Sequence, residues 1–227
     1  MGFQIAIDGP VAAGKSTVAR LLAQKLGLVY VDTGAMYRAV ALAALRKGVE
    51  VTDEEAIALL LKEIEIDVRS PEGEEKDGRL STVLLNGEDV SWEIRGPQVS
   101  AVVAKVAALS KVREVLVEKQ RKIAADREVV MEGRDITYVV LPQADLKIFL
   151  TASESVRVER YFLKLKAKNP DLTKEEARRL LLERDELDRS RETSPLKIVE
   201  DAWVLDTSEL SIEEVIDKIV SEVEKRR

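Results

Sequence analysis

The sequence predicts an α/β fold, a parallel sheet covered on both faces by helices, and three observations lead there. Short apolar runs alternate with amphipathic segments along most of the 227 residues. A glycine loop ending in lysine and serine joins the first apolar run to the first helical segment. One interval, about 64–95, changes to polar/apolar alternation around a hairpin signal, so a small antiparallel insertion is expected inside the α/β frame.

Taken in order, the apolar run from Phe3 to Ile7 predicts a strand over 3–8 that breaks at Gly9 and Pro10. Helical sequence follows over 15–26, a strand over 28–31, and a helix over 35–47 stopped by Gly48. Thr52 and Glu55 have the spacing of a capping box for a short helix reaching Leu61. Ile64, Ile66 and Val68 then alternate, residues 80–85 read as a second strand, and a charged stretch from Pro71 to Gly78 separates them. Asn86-Gly87 is a hairpin turn leading into Val90 and Trp92.

Helices over 97–108 and 111–125 return the chain to a strand over 128–131 that ends at Gly133. Residues 146–150 form a continuous apolar run, as a strand buried on both faces requires. Helices over about 153–168 and 173–190 come next, joined by Asn169-Pro170-Asp171. The last strand, 202–205, feeds an amphipathic helix from Ser211 whose first turn carries Glu213 and Glu214.

Composition narrows the chemistry. Lysine and arginine number 36 against 42 aspartates and glutamates, a net charge of -6, so no basic face for nucleic acid is expected. The chain has neither cysteine nor histidine, which removes disulfides, thiolate chemistry and the commonest acid-base catalyst. No cleavable leader or bilayer-length apolar run is visible, so a soluble cytoplasmic protein without membrane contact is expected. A charged content of 34% with few Asn and Gln points to a heat-resistant chain.

The loop Gly9, Pro10, Val11, Ala12, Ala13, Gly14, Lys15, Ser16, Thr17 fits G-x-x-x-x-G-K-S/T. Its spacing lets successive backbone N–H groups curl around a phosphate at a helix N-terminus, with Lys15 reaching the outer phosphates and the Ser16 hydroxyl ligating magnesium. A switch GTPase would add N-K-x-D and D-x-x-G, and the chain contains neither.

Further candidates lie at strand ends, where open α/β sheets bind ligands. Asp32, Thr33, Gly34, Ala35, Met36, Tyr37 and Arg38 follow the second strand; Thr33 either caps the next helix or meets a ligand. Gly133, Arg134 and Asp135 follow the strand at 128–131, and Asp8 ends the first, either ordering magnesium-bound water or simply terminating it. Arg184, Asp188 and Arg191 are spaced to share one helical face with Leu180 and Leu187, whereas Arg178, Arg179, Glu186 and Arg189 face outward. An Arg184–Asp188 pair along the helix is the alternative, and it leaves Arg191 unexplained. Arg113 lies beside inward-facing Val112, Leu116 and Val117, and Arg157 and Arg160 sit near a helix start. With Lys15 these arginines suit two phosphorylated ligands. A phosphate acceptor is already ionised at neutral pH, so no histidine base is required.

I-D-G-P-x-x-A-G-K-S, D-T-G-A-M-Y-R, G-R-D-I and E-R-D-x-x-D-R-x-R together resemble the bacterial cytidylate kinases of the P-loop nucleoside monophosphate kinase superfamily, over essentially the whole chain. The resemblance implies a five-stranded parallel sheet of the adenylate kinase type in a single 1–227 domain. Its core would be 1–34, 109–152 and 195–227, its monophosphate-binding insertion 35–108 and its helical lid 153–194. It implies magnesium-dependent transfer from ATP to CMP or dCMP, yielding CDP or dCDP, by a cytoplasmic monomer. Residues 9–17 would hold ATP; Thr33, Tyr37, Arg38, Arg113, Arg134, Asp135, Arg184 and Asp188 would surround CMP; and Lys15, Arg157 and Arg191 would be catalytic. Two departures stand out: Thr137-Tyr138 replaces the usual Gly-Thr after G-R-D-I, and Ala104 replaces a small polar residue that would meet the base. A kinase for shikimate or dephospho-coenzyme A lacks the insertion and the E-R-D-x-x-D-R-x-R helix. A non-catalytic ATP-binding regulator would bind ATP without transfer.

Overall fold

A computed structural model describes residues 2–125, 127–167 and 169–227, so Met1 and the last position of the expected 153–168 helix, Lys168, lie outside the described residues. In chain order the elements are β1 (Gln4–Asp8), α1 (Lys15–Leu26), β2 (Val29–Asp32), α2 (Thr33–Lys47), α3 (Glu54–Glu63), β3 (Ile66–Arg69), β4 (Thr82–Leu85) and β5 (Glu88–Asp89). They continue as α4 (Pro97–Ala108), α5 (Ser110–Ala124), β6 (Val129–Glu132), β7 (Leu146–Thr151), α6 (Glu154–Lys166), α7 (Lys174–Ser190), β8 (Trp203–Asp206) and α8 (Ile212–Arg226).

Five strands form one parallel sheet in the order β2-β6-β1-β7-β8. The period of two along each strand sorts the core. Ile5 and Ile7 of β1, in register with Leu146 and Ile148 of β7, face α1 and α8 and pack with Val18, Leu22, Ile216 and Ile219. Ala6, Val31 and Met131 face the other way, against Val117 and Ala124 of α5 and Ile136. Full burial of each such aliphatic side chain contributes roughly 1.5–3 kcal/mol, which is why every core strand is an apolar run. The β1, β6 and β2 ends place Asp8, Glu132 and Asp32 along one edge, where the site is built.

The insertion has a core of its own. The alanines of α2, among them Ala35, Ala39 and Ala43, leave room for Val99, Val103 and Val106 of α4, while Ile57, Leu61, Val68, Val83 and Ile94 close the other sides. Strands β3, β4 and β5 are antiparallel, and the Asn86-Gly87 turn has both φ values positive, 52° and 82°, as a two-residue hairpin demands.

Several boundaries differ from expectation for identifiable reasons. The cap of α2 is Asp32, whose carboxylate accepts from Ala35 N at 3.0 Å, and not Thr33, whose hydroxyl donates to the Glu132 carbonyl at 2.7 Å. Asp53 likewise caps α3, accepting from Ala56 N at 3.0 Å, while the Thr52 hydroxyl bonds Glu50. Strand β5 stops at Asp89 and the chain makes a tight turn at Glu93–Arg95, so Trp92 is 55% exposed instead of lying in the sheet. Helix α7 ends at Ser190, and Arg191 is extended. Among the described residues no helix is long and apolar enough to cross a membrane.

Candidate active site

The loop between β1 and α1 is shaped by close packing. A β-carbon at Gly9 (φ 153°) would lie 2.0 Å from the Leu150 carbonyl oxygen, so only glycine lets β7 run this near. Gly14 (φ 96°) then opens α1, leaving first-turn N–H groups without helical partners. Lys15 is buried, and its ammonium donates to the Pro10 carbonyl at 2.8 Å. Burial first, and Arg134 second, push its pKa down to about 7.

Glu132 ends β6 directly beneath this loop. Burial, and then the neighbouring Asp32 carboxylate, hold its carboxyl above the ordinary range, and it accepts hydrogen bonds from Ser16 and, at 3.1 Å, from Tyr30. Sequence reasoning passed over Glu132; its signal was an acid closing the strand before Gly133. Ser16, Glu132 and Asp32 supply hard oxygen donors of the kind magnesium takes. Among the described residues no group of three or more His, Cys, Asp or Glu side chains is gathered so as to hold a metal ion.

The opposite wall is arginine-rich. Arg134 donates to Asp188 at 2.6 Å. Arg113 pairs with Asp135, donates to the Ala107 carbonyl at 2.9 Å and lies 5.3 Å over the Tyr37 ring, while Arg191 reaches Asp135 at 4.0 Å. The buried Arg113 Nε and one terminal nitrogen of Arg191 have no hydrogen-bond acceptor among the described residues, so donors remain for a ligand. Arg38 donates to the Ile94 carbonyl (3.1 Å) and Ser100 (3.0 Å); burial and then Arg184 push its pKa down to about 10. Burial, followed by Arg95, Arg38 and Arg184, also lowers that of Lys164. Asp32, paired with Arg95 at 3.1 Å, is the carboxylate that counters this cluster, with Tyr161 adding to it at Arg38, a field suited to an anion.

Asp8 is not part of the cleft wall. Its fully buried carboxylate accepts from Ile136 N (2.9 Å), Thr137 N (2.8 Å) and the Thr137 hydroxyl (2.7 Å), pinning the turn that carries Arg134 and Asp135, and burial pushes its pKa up to about 6. Thr137, the first residue of the Thr137-Tyr138 departure, thus supplies a donor. Its second residue, Tyr138, donates to the Pro195 carbonyl, and its ring lies 4.2 Å under the Lys197 ammonium.

The cleft between these walls has a volume of about 460 Å³ and is lined by Val11, Ala12, Ala13, Gly14, Lys15, Ser16 and Thr17, and by Thr33, Tyr37, Arg38, Arg113, Arg134, Asp135, Arg184, Asp188 and Arg191. Ala104 and Leu80 line it too, as do Arg95, Arg160 and Lys164; of these, Arg95 and Lys164 carried no sequence signal, being single charges on unremarkable segments. Gly9 and Pro10 do not line it. Arg157, expected beside the transferring group, sits behind the loop instead, held by Asp185 and the carbonyls of Val11 (3.1 Å) and Ala152 (3.2 Å). The α7 stripe is also rotated from expectation. Ala177, Leu181 and Asp185 are buried, Leu187 is exposed, and Asp188 takes Arg134 across the cleft instead of Arg184 along the helix. Arg178 and Arg179 do face outward, pairing with Glu154 and Glu183.

The chain matches the family model described as cytidylate kinase over residues 5–225. It is 50% identical over 217 residues to the cytidylate kinase of Carboxydothermus hydrogenoformans, covering 96% of this chain and 95% of that one. The cytidylate kinase of Thermotoga maritima is 48% identical over 227 residues, covering 100% and 99% respectively. Among solved structures, an uncharacterized protein from Eubacterium ventriosum has a TM-score of 0.55 at 11% identity over 98% of both chains, a likeness of fold alone.

Proposed function

The chain belongs to the cytidylate kinase family, and from that premise we propose how its cleft divides the work of phosphorylating CMP at the expense of ATP. The phosphate loop takes the donor. Backbone N–H groups of 12–17 cradle the ATP phosphates, and Lys15 leaves the Pro10 carbonyl to follow the charge of the transferring group. Ser16, with Glu132 and Asp32 behind it, would hold magnesium, which when bound neutralises phosphate charge.

The arginine wall takes the acceptor. Arg38, Arg184, Arg191 and Lys164 surround its phosphate, with Thr33 and Arg134 at the edge toward the loop. Asp135 and Asp188, each already oriented by an arginine, are placed to accept from base amine or sugar hydroxyl beside Tyr37 and Arg113. The single observation that carries this reading is an arginine wall with unpartnered buried donors facing a phosphate loop across one cleft. An acceptor phosphate needs no base, so positioning and charge neutralisation suffice.

Release of ADP across a panel of CMP, dCMP, UMP, AMP, shikimate and dephospho-coenzyme A tests it. CMP and dCMP are expected to turn over fastest, and negligible turnover with both would overturn the reading. Ala104 offers the base no side-chain hydrogen bond, so UMP is expected to be a slow substrate rather than a rejected one.

Lys15 yields a pH-dependent prediction. With a pKa near 7 in the ligand-free cleft, its amine is mostly neutral at pH 8, and the adjoining phosphates of ATP raise that pKa again. ATP binding at pH 8 is therefore expected to take up a proton, and the uptake is expected to shrink as the pH is lowered. Calorimetry in buffers of different ionisation enthalpy measures this; proton release, or no exchange, would contradict it. The linked stability has the same sign: between about pH 7 and 10.5 the unfolded chain binds the proton more tightly, so this group makes stability rise with pH.

A further inference from the structure

The most complete unassigned cluster lies behind the phosphate loop. We propose that the Arg157–Asp185 ion pair is a clamp that sets the loop's phosphate-binding conformation at Val11, acting as a pair of positioning residues for the donor. Both polar groups of Val11 are engaged by it. The Val11 N–H donates to Asp185 Oδ1 at 3.0 Å, and the Val11 carbonyl accepts from Arg157 at 3.1 Å. Arg157 also pairs with the second oxygen of Asp185 and, through Nε, donates to Ala152 at 3.2 Å, just beyond β7.

The pair is buried, Arg157 at 6% exposure and Asp185 at 4%, and the Val11 side chain packs with Val158 of α6 and Leu181 of α7. Two helices thus grip one residue of the loop by its backbone and its side chain. The next residue, Ala12, has φ 59°, a left-handed conformation that a β-carbon disfavours and that persists only where the surroundings impose it. With its N–H committed to Asp185, Val11 has none for phosphate, and the cradle begins at Ala12. Helix α7 reaches further: Asp188, one turn after Asp185, fixes Arg134 on the acceptor turn, so one helix positions both halves of the cleft.

The inference rests on the reading that the loop holds ATP. Alanine in place of either residue would leave a cavity and remove every hydrogen bond along with the charge, so the test uses Asp185→Asn and Arg157→Lys, which keep the volume and part of the hydrogen bonding. The first removes the negative charge and one of the two carboxylate acceptors at constant shape; the second keeps the charge without the planar fork that spans Asp185 and Val11. Both are expected to weaken binding of a non-hydrolysable ATP analogue, and to raise KM for ATP, about tenfold or more, since loop donors to a charged ligand are misdirected. Affinity and KM for CMP are expected to stay within about twofold, because the Arg134–Asp188 pair shares no hydrogen-bonded partner with Arg157 or Asp185. ATP affinity equal to wild type in variants that still bind CMP would overturn the clamp, and so would equal losses for both ligands. Should either variant not fold, R157M/D185L, which replaces the pair by apolar groups, takes its place: weakened ATP binding supports the clamp and wild-type binding overturns it. Failure of the wild-type protein to bind the analogue would instead sink the reading of the loop.

Discussion

Lys15→Ala is expected to lower kcat by about 10²–10³, because a fixed cation aimed at a developing charge in a water-poor site is worth that much in transition-state stabilisation. The same substitution is expected to leave thermal stability unchanged or slightly raised. Lys15 is buried with, among the described residues, the Pro10 carbonyl as its one hydrogen-bonded partner, and burial already holds its pKa near 7, so the folded protein gains little from this amine before ATP arrives. A stability loss that tracks the activity loss would mean that Lys15 is a structural group. Steady-state kinetics beside thermal unfolding of the same samples separates the two.

Arg184→Ala is expected to raise KM for CMP by about 10- to 100-fold, the range for losing a charge-assisted contact to phosphate. Arg184 lines the cleft, and its charge depresses both Arg38 and Lys164, so it belongs to a cationic array that an anion would relieve. Arg179, five residues earlier on α7, pairs with Glu183 in solvent, and Arg179→Ala is expected to change KM by no more than about twofold. Initial-rate kinetics with CMP varied at saturating ATP makes the comparison. Equal effects of the two substitutions would undo the placement of the acceptor phosphate.

Much of this fold was legible because the inner parallel strands, buried on both faces, must be apolar runs, and the edge strand β8, with Val204 48% exposed, still shows a short one. Boundaries slipped where an aspartate competed with a threonine for the cap. Asp32 and Asp53 both took the helix N-terminus, freeing Thr33 for the Glu132 carbonyl. The turn at Ile136–Val140 carries no periodicity of its own; it is set by Asp8, which arrives from more than a hundred residues upstream. The phosphate loop and both arginine-bearing strand ends were readable as local motifs. Glu132, Asp185, Arg95 and Lys164 were not, since each gains its meaning from a partner distant in sequence. Arg157 shows the limit most clearly. On its helix it looks like any solvated or ligand-facing arginine, and only Asp185, 28 residues later and burying a carboxylate in the same place, turns it toward the back of the loop.

The claim on which the rest depends is that donor loop and arginine wall act on one phosphoryl group. Following the γ-phosphate of labelled ATP in the presence of CMP tests it most directly. The label is expected to appear in CDP in step with ADP formation and in magnesium-containing buffer alone. ATP binding with the label retained on ATP, or released only as inorganic phosphate, would contradict the account.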